Sequence, residues 1–345
     1  MVRRLKKIKN LAIAMVVCCN PGFSPVKGFG QGQILWQLGK ADNRADEFAL
    51  GPSEYGKFLS RDFGFEDRYF LAGFSDIRND FPYVLPGPAD SWGGTGGTSG
   101  WRTHEINILF GLKDIPASGK WKLVIDLIDS NPHRSLLKVS MNSKQDAKFP
   151  LKGGTDASLT GASAESKEQI LEVPINEGVL KNGGNCVTLT VLEGSWVVFD
   201  HLRLEAPDGV VLAHPDQAFI RSVQAANYEL EKGTKRVQPL LVDVEHLSAN
   251  PVLEVELDGK NIFKARLDTA RYQFEAPMAA VSKRKESRYR ILINRKEAES
   301  GTVDRFPAKL QTPAGYVDTR IGTAHSRWMI APGPWMPFSM VKLSP

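Results

Sequence analysis

The aromatic and ionisable residues near the carboxyl end are the first candidates for a functional site. Trp328 and Phe338 lie among prolines and glycines, and His325 and Asp318 are close in sequence. Prolines remove backbone donors and fix φ, while glycines permit tight turns, so this segment cannot be a helix interior. Such a backbone carrying aromatic and ionisable groups favours a small-molecule site, although a strand entered through a proline-rich loop explains the pattern as well.

A second candidate is a glycine-rich segment, PGPADSWGGTGGTSGW, whose chemistry suits a carbohydrate. Trp92 and Trp101 offer flat apolar platforms to sugar rings, and Asp90, Arg102 and Tyr83 offer polar groups to sugar hydroxyls. The segment lacks the Gly-Lys-Ser/Thr ending of a phosphate-binding loop. We therefore predict that these five residues bind a glycan. The alternative is a connector that places one tryptophan in the core.

Acidic side chains that follow the first strand pattern are candidates for a metal site. Asp42, Asn43, Asp46 and Glu47 place four oxygen-bearing side chains within six residues. Calcium prefers oxygen ligands, but the spacing is not that of an EF-hand, and turn-forming side chains explain these residues as well. A calcium site on Asp42, Asp46 and Glu47 is therefore one of two open interpretations. No Cys/His cluster has the spacing of a zinc site.

Asp200, His201 and Glu205 form a third polar group, close to the end of a strand pattern. Successive side chains of a regular strand point to opposite faces, so Asp200 is predicted to point away from His201 and Glu205. We therefore interpret the three as strand-surface and core-edge residues, and we predict no catalytic residue in this chain.

Strands are the elements that must position these groups. Apolar and polar residues alternate with period two in several segments between residues 33 and 205, separated by Gly, Pro and Asn, which is typical of an antiparallel sandwich. A linker is predicted over 207–215. A second strand-rich unit over 216–312, with a hairpin turn at Asp258-Gly259, indicates a small immunoglobulin-like sandwich that acts as a spacer.

Two short segments of the first unit carry a family resemblance. The opening ILWQLGKAD (34–42), with Glu47 and Phe48, and the closing FDHLRLE (199–205) resemble the galactose-binding-like jelly rolls of polysaccharide-degrading enzymes. These include the carbohydrate-binding module of rhamnogalacturonan lyases. The resemblance implies an all-β chain whose first domain, residues 32–206, is a carbohydrate-binding jelly roll.

The carboxyl-terminal segment carries a second resemblance. It contains Val317-Asp318, Ile321-Gly322-Thr323 and then APGPWMPFSMV (331–341). Together these residues resemble the opening of glycoside hydrolase family 92, whose members are calcium-dependent, inverting exo-α-mannosidases. The matching region contains Asp318, Gly322, Thr323, His325, Trp328, Pro332, Gly333, Pro337 and Phe338. Ser339 stands where the family usually has glycine. The resemblance implies that residues 313–345 begin a hydrolase domain whose catalytic carboxylates and calcium ligands lie outside these 345 residues.

The amino terminus has the pattern of a secretory signal peptide over residues 1–31. A basic segment precedes an apolar run that is too short to span a bilayer. These 31 residues carry six positive charges and no acid, and without them the formal charge of +5 becomes −1. A near-neutral remainder has no general attraction for nucleic acid. We expect a secreted, periplasmic or cell-surface protein with Cys186 as its one remaining cysteine.

These patterns favour one hypothesis and leave two alternatives. The first is an amino-terminal fragment of a secreted α-mannosidase-like glycoside hydrolase, which supplies glycan binding and spacing without catalysis. The second is a stand-alone, non-catalytic secreted glycan-binding protein, and the third is a structural or adhesive surface module. The expected partner is a glycan or polysaccharide, mannose-containing if the family-92 resemblance holds, with no nucleic acid and no membrane span.

Overall fold

The computed structural model describes residues 32–58, 67–89, 104–116, 118–162, 164–213, 217–268 and 271–307. The described chain is almost entirely β-structure, as the alternating patterns predicted. No helix within these ranges has the length and apolar content needed to cross a membrane. The short helices are α1 (Tyr55–Phe58), α2 (Ile77–Asp80) and the 3₁₀ segments Pro52–Glu54 and Asp156–Thr160.

Eleven strands of the described chain build the first sandwich. They are β1 (Gln33–Gly39), β2 (Arg68–Leu71), β3 (Val84–Pro86), β4 (Glu105–Lys113), β5 (Trp121–Ser130), β6 (Ser135–Met141), β7 (Gln145–Leu151), β8 (Gln169–Ile175), β9 (Gly183–Glu193), β10 (Trp196–Ala206) and β11 (Val211–Ala213). One sheet has the order β1-β10-β5-β8 with β3 beside β10, and the other has the order β11-β4-β9-β6-β7 with β2 beside β4. The pairing is antiparallel except between β2 and β4.

The core of this sandwich explains why these segments are strands. In β5, Leu123, Ile125 and Leu127 are completely buried and alternate with residues on the other face. Ile108 of β4 and Leu189 of β9 are also fully buried, in the same core. Burying branched apolar side chains at every second position stabilises a pleated strand, at roughly 25 cal/mol per Å² of apolar surface.

The second sandwich follows with eight strands of the described chain. They are β12 (Ala218–Ala225), β13 (Leu230–Lys232), β14 (Lys235–His246), β15 (Val252–Leu257), β16 (Lys260–Arg266), β17 (Arg271–Ala279), β18 (Lys285–Ile293) and β19 (Lys296–Arg305). One sheet has the order β12-β14-β13 with β17 beside β14, and the other has the order β16-β15-β18-β19. Its core is a separate cluster that includes Val242, Val255 and Ile291.

The turn between β15 and β16 confirms the predicted hairpin. Asp258 and Gly259 both have positive φ, at 49° and 79°. Two consecutive left-handed residues are the requirement of the two-residue hairpin turn whose twist matches that of the strands. The Asp258 carboxylate also accepts a bond from the Arg288 backbone N–H at 2.9 Å, which ties the turn to the next strand of the sheet.

Candidate functional site

Two β-bulges distort the pairing of β5 with β10 and create the polar centre of the first sandwich. The register shifts so that Ile128 is an extra residue on β5 and Asp200 is an extra residue on β10. Bulges bend a strand and redirect its side chains. The prediction that Asp200 points away from His201 is therefore wrong: His201 Nδ1 lies 3.3 Å from Asp200 Oδ2 and 3.5 Å from Asp126 Oδ2.

Asp126, Asp200 and His201 form a buried polar cluster, each 3% exposed or less. This burial also corrects the interpretation of Asp200 and His201 as strand-surface or core-edge residues. Arg203 Nη1 lies 2.7 Å from His201 Nε2. Because a guanidinium only donates, Nε2 must accept, and the proton of the neutral imidazole then lies on Nδ1, directed at the two carboxylates.

The contact between Arg203 and His201 decides whether this cluster suits a metal ion. Within the described ranges, Asp126, Asp200 and His201 are the one group whose three ligand atoms lie within 4.8 Å of one another. A metal ligand must offer a lone pair, and the bond from Arg203 leaves the proton on the nitrogen that faces the carboxylates. The cluster therefore fits a hydrogen-bonded network better than a metal centre.

The acidic residues predicted to bind calcium make hydrogen bonds and an ion pair within loop residues of the protein. Asp46 pairs with the Arg44 guanidinium, Glu47 Oε1 accepts from the Lys40 N–H at 2.7 Å, and Asp42 Oδ1 accepts from the Arg44 N–H at 3.1 Å. These are the bonds of a turn-forming loop, the second of the two interpretations. Calcium binding by Asp42, Asp46 and Glu47 stays a prediction.

Burial changes the acidity of the cluster. Loss of hydration is the main reason that the pKa of Asp126 rises from 3.8 to about 6; His201 and Arg203 oppose the rise, and Asp200 and Glu168 add to it. Between about pH 4 and 6 the folded protein keeps a proton that the unfolded chain releases. The stability of the fold therefore falls as pH increases across this window, and the loss is complete above the folded-state pKa.

We predict that Asp126→Asn raises the melting temperature at pH 7.5 by about 5 °C and changes it little at pH 4. The neutral amide occupies the same space without the cost of a buried negative charge. Differential scanning calorimetry at the two pH values measures the effect, with the exposed Asp208→Asn as control. Equal destabilisation of Asp126→Asn at both pH values would contradict the prediction.

Asp200 also fixes the loop that follows β1, residues 40–54, here called loop A. Its Oδ1 accepts from the Arg44 N–H at 3.1 Å and lies 3.4 Å from the Asp42 nitrogen. Gly39 makes this approach possible, because it has φ of 78° and a Cβ there would lie 2.3 Å from the Asp200 carbonyl oxygen. A single buried carboxylate thus holds the start of loop A against the sheet.

Asp129 performs the equivalent task for the loop after β7, residues 152–162, here called loop B. This carboxylate is completely buried. It accepts from the Gly154 N–H at 2.7 Å, the Thr155 N–H at 3.0 Å and the Ser158 hydroxyl at 2.7 Å. These donors fix the backbone before and within the 3₁₀ segment of loop B.

Loops A and B enclose an open pocket of about 440 Å³, here called the loop pocket. Its polar lining includes Asn43, Arg44, Asp46, Ser53, Ser158 and Thr160. Pro52 and Ile128 contribute apolar surface beside these groups. An open pocket that combines several hydrogen-bonding side chains with a small apolar patch is chemically suited to a ligand rich in hydroxyl groups.

The structure places one of the predicted sugar-binding residues in the core. Tyr83 is completely buried, and its hydroxyl donates to the Leu159 carbonyl oxygen at 2.8 Å. The prediction that Tyr83 contacts a glycan is therefore wrong: the residue lies in the core and bonds to the backbone of loop B. The other predicted ligands, Trp92, Trp101, Arg102 and Asp90, lie outside the described residues, as do the family-92 motif residues, and they stay predictions.

The sequence contained a signal for the residues that our predictions missed. Asp126 and Asp129 are acidic residues in a strand, WKLVIDLIDS, that is otherwise mainly apolar. Acidic groups are rarely buried without a compensating interaction, so their position in such a strand indicates a polar network. The partners of Asp129 lie about 25 residues away in sequence, and no local pattern identifies them.

The two-sheet fold and the polar loop pocket define a β-sandwich of the kind associated with carbohydrate-active enzymes. Residues 34–204, just under half of the chain, match the family described as CBM-like, domain III of polysaccharide lyase family 4. The first sandwich is therefore a carbohydrate-binding-like domain, as its resemblance to lyase-associated modules implied. The match does not extend to residues 317–341, and no curated protein matches the chain.

Several solved glycosidases are also similar to the chain. A GH2 β-galacturonidase from Eisenbergiella tayi bound to galacturonate is 8% identical over 59% of this chain and 34% of its own length, with a TM-score of 0.22. A β-D-mannosidase from Dictyoglomus thermophilum is 9% identical over 57% of this chain and 28% of its own, with a TM-score of 0.21. The chain spans about a third of the length of these enzymes, and such low scores say nothing about its activity.

Proposed function

We propose that the loop pocket binds a neutral glycan, and that the chain is the secreted, non-catalytic amino-terminal part of an α-mannosidase-like glycoside hydrolase. The observation that carries the binding proposal is the polar pocket between loops A and B of a carbohydrate-binding-like domain. The alternative is a stand-alone secreted glycan-binding protein, which uses the pocket in the same way.

The lining of the loop pocket supports binding through hydrogen bonds. In the lining, Arg44 offers a donor and Asp46 an acceptor, and an ion pair joins their side chains. Asn43 precedes them in loop A and is exposed. Sugar hydroxyls can bond to these groups while a ring face covers Pro52 and Ile128. A shallow site of this kind gives dissociation constants of about millimolar to micromolar, or roughly 4–8 kcal/mol.

The hydrolase part of the proposal is supported by the family-92 resemblance of residues 317–341 alone. In this reading the loop pocket holds a mannose-containing polymer near a catalytic domain, and calcium is required by that domain. An array that includes α-mannosides alongside other neutral glycans distinguishes the two: selective binding of α-mannosides favours the hydrolase, and binding of unrelated glycans alone favours the stand-alone protein.

We predict that Asn43→Gly weakens glycan binding about tenfold without changing the melting temperature. Asn43 has φ of 58°, which glycine adopts without strain, so the variant removes the amide while keeping the backbone of loop A. Glycans bound on the array are then titrated by calorimetry with both proteins. Ala249→Gly is the matched control, because Ala249 also has φ of 58° and lies exposed in the second sandwich. Unchanged affinity in Asn43→Gly would exclude the loop pocket.

A further inference from the structure

A second cavity lies where the two sandwiches meet. This cleft has a volume of about 350 Å³ and is lined by β4, β9 and β11 of the first sandwich and by β12, β18 and β19 of the second. Ligand sites of small molecules have volumes of about 300–1,000 Å³ and are common at domain interfaces. This cleft shares no lining residue with the loop pocket.

Glycines form one wall of the cleft and bring the two sandwiches into close contact. A Cβ on Gly184 would lie 2.2 Å from the Ile220 carbonyl oxygen, and one on Gly183 would lie 3.1 Å from the Glu299 side chain. On the second sandwich, Asn294 donates to Gln217 Oε1 at 2.7 Å. The cleft is therefore preformed and bounded by fixed backbone, so a ligand would not have to order its walls.

The charged groups that line the cleft differ in whether they have partners within the protein. Its two carboxylates are occupied: Glu299 accepts from Lys181 Nζ at 2.8 Å, and Glu297 pairs with Arg290 at 2.9 Å. Lys113 and Lys296 also line the cleft, one from each sandwich, and within the described part of the chain neither ammonium group has a hydrogen-bond or ion-pair partner.

We propose that this cleft binds an acidic saccharide, one that carries carboxylate or sulfate groups, between Lys113 and Lys296. The two ammonium groups supply charge-assisted bonds to the anionic groups of the ligand. Phe219 also lines the cleft, and its buried ring packs against Leu71 and Leu109 of the first sandwich, which fixes this wall of the site. The ligand would contact both sandwiches at once, so its binding would also stabilise their relative position.

Calorimetric titration of the full chain tests this with three probes: trigalacturonate, a sulfated trisaccharide and a neutral trisaccharide. We expect an acidic probe to bind and the neutral one not to bind in the cleft. Each of Lys113→Gln and Lys296→Gln should weaken binding about fivefold, and the double variant about twentyfold. Ala298→Phe fills the cleft without changing its charge and should abolish binding. The exposed Lys283→Gln, which changes a lysine that does not line the cleft, is the control.

The outcomes separate a built site from general charge attraction. Binding of trigalacturonate alone identifies a uronate ligand, binding of the sulfated probe alone identifies a sulfated one, and either supports the proposal. It is overturned if neither acidic probe binds, if Lys283→Gln weakens binding as much as Lys113→Gln, or if Ala298→Phe binds normally with an unchanged melting temperature. Asn43→Gly should bind the acidic probe like wild type, so failure at one cavity is distinguishable from failure at the other.

Discussion

Replacing Asp129 with alanine is expected to lower the melting temperature of the first sandwich by about 10 °C and to remove binding at the loop pocket. The carboxylate is completely buried and accepts from the Gly154 and Thr155 N–H groups and the Ser158 hydroxyl. Its removal leaves these donors without an acceptor in a site that water reaches poorly. Such losses cost about 1–3 kcal/mol per buried group, and about 3–5 kcal/mol for the network.

The consequence for function follows from the position of Asp129. Loop B forms one wall of the loop pocket, and its 3₁₀ segment begins at the donors that this carboxylate holds. Without the acceptor, loop B loses the bonds that fix its first residues, although the bond from the Tyr83 hydroxyl to the Leu159 carbonyl oxygen remains. Binding should therefore decrease even at temperatures where the sandwich is folded, because the ligand must then order the loop.

Two variants test the prediction for Asp129. Asp129→Asn keeps one acceptor oxygen but turns an amide toward a backbone N–H, so its loss of stability should be about half that of alanine. Asp156→Ala removes an exposed carboxylate from the same loop and should change the melting temperature by less than about 2 °C. Calorimetric melting and glycan titration of the three proteins provide the measurement. If Asp129→Ala melts like Asp156→Ala, the network does not hold loop B.

The strands could be predicted from the sequence and the hydrogen bonds of Asp129 could not, because only the strand pattern lies within a short segment. Strands such as β5 and β15 were predictable because burial on one face imposes a period of two that appears within six to ten residues. The bonds of Asp129 join residues about 25 positions apart. Their partners are backbone N–H groups, which every residue except proline has, so the sequence cannot indicate which ones are used.

The predictions for Asp200 and Tyr83 were wrong for two different reasons. The alternation rule failed at Asp200 because one extra residue in β10 changes the face on which the next side chains lie. Tyr83 was assigned to a ligand from its residue type and its nearness to a glycine-rich segment. Its ring is apolar enough for the core, and its hydroxyl donates there to the Leu159 carbonyl oxygen.

The second large effect is expected at the interface between the two sandwiches. Glu299 is 4% exposed and accepts from Lys181 Nζ at 2.8 Å, from the Gly184 N–H at 3.3 Å and from the Tyr289 hydroxyl at 3.2 Å. Lys181 and Gly184 belong to the first sandwich, and Tyr289 belongs to the second. One carboxylate therefore accepts from a side chain and a backbone N–H of the first sandwich and from a hydroxyl of the second.

We predict that Glu299→Ala uncouples the two sandwiches. The variant leaves Lys181 and the Gly184 N–H without their acceptor, at a cost of about 3 kcal/mol concentrated at the contact between the units. Each sandwich has its own apolar core, so each should remain folded. Calorimetry should then resolve two separate unfolding transitions, one for each sandwich, whereas we expect the two sandwiches of the wild type to unfold in a more strongly coupled way. Small-angle scattering should show a larger maximum dimension for the variant than for the wild type.

The neighbouring glutamate provides the control for this prediction. Glu297 lies on the same strand, is exposed and pairs with Arg290 within the second sandwich, so Glu297→Ala should leave both measurements unchanged. Gly184→Val attacks the interface from the other side, because its Cβ would lie 2.2 Å from the Ile220 carbonyl oxygen, and it should resemble Glu299→Ala. If both variants keep the scattering profile of the wild type, the sandwiches are held together mainly by the apolar contact of Phe219 with Leu71 and Leu109, and Glu299 only fills the interface.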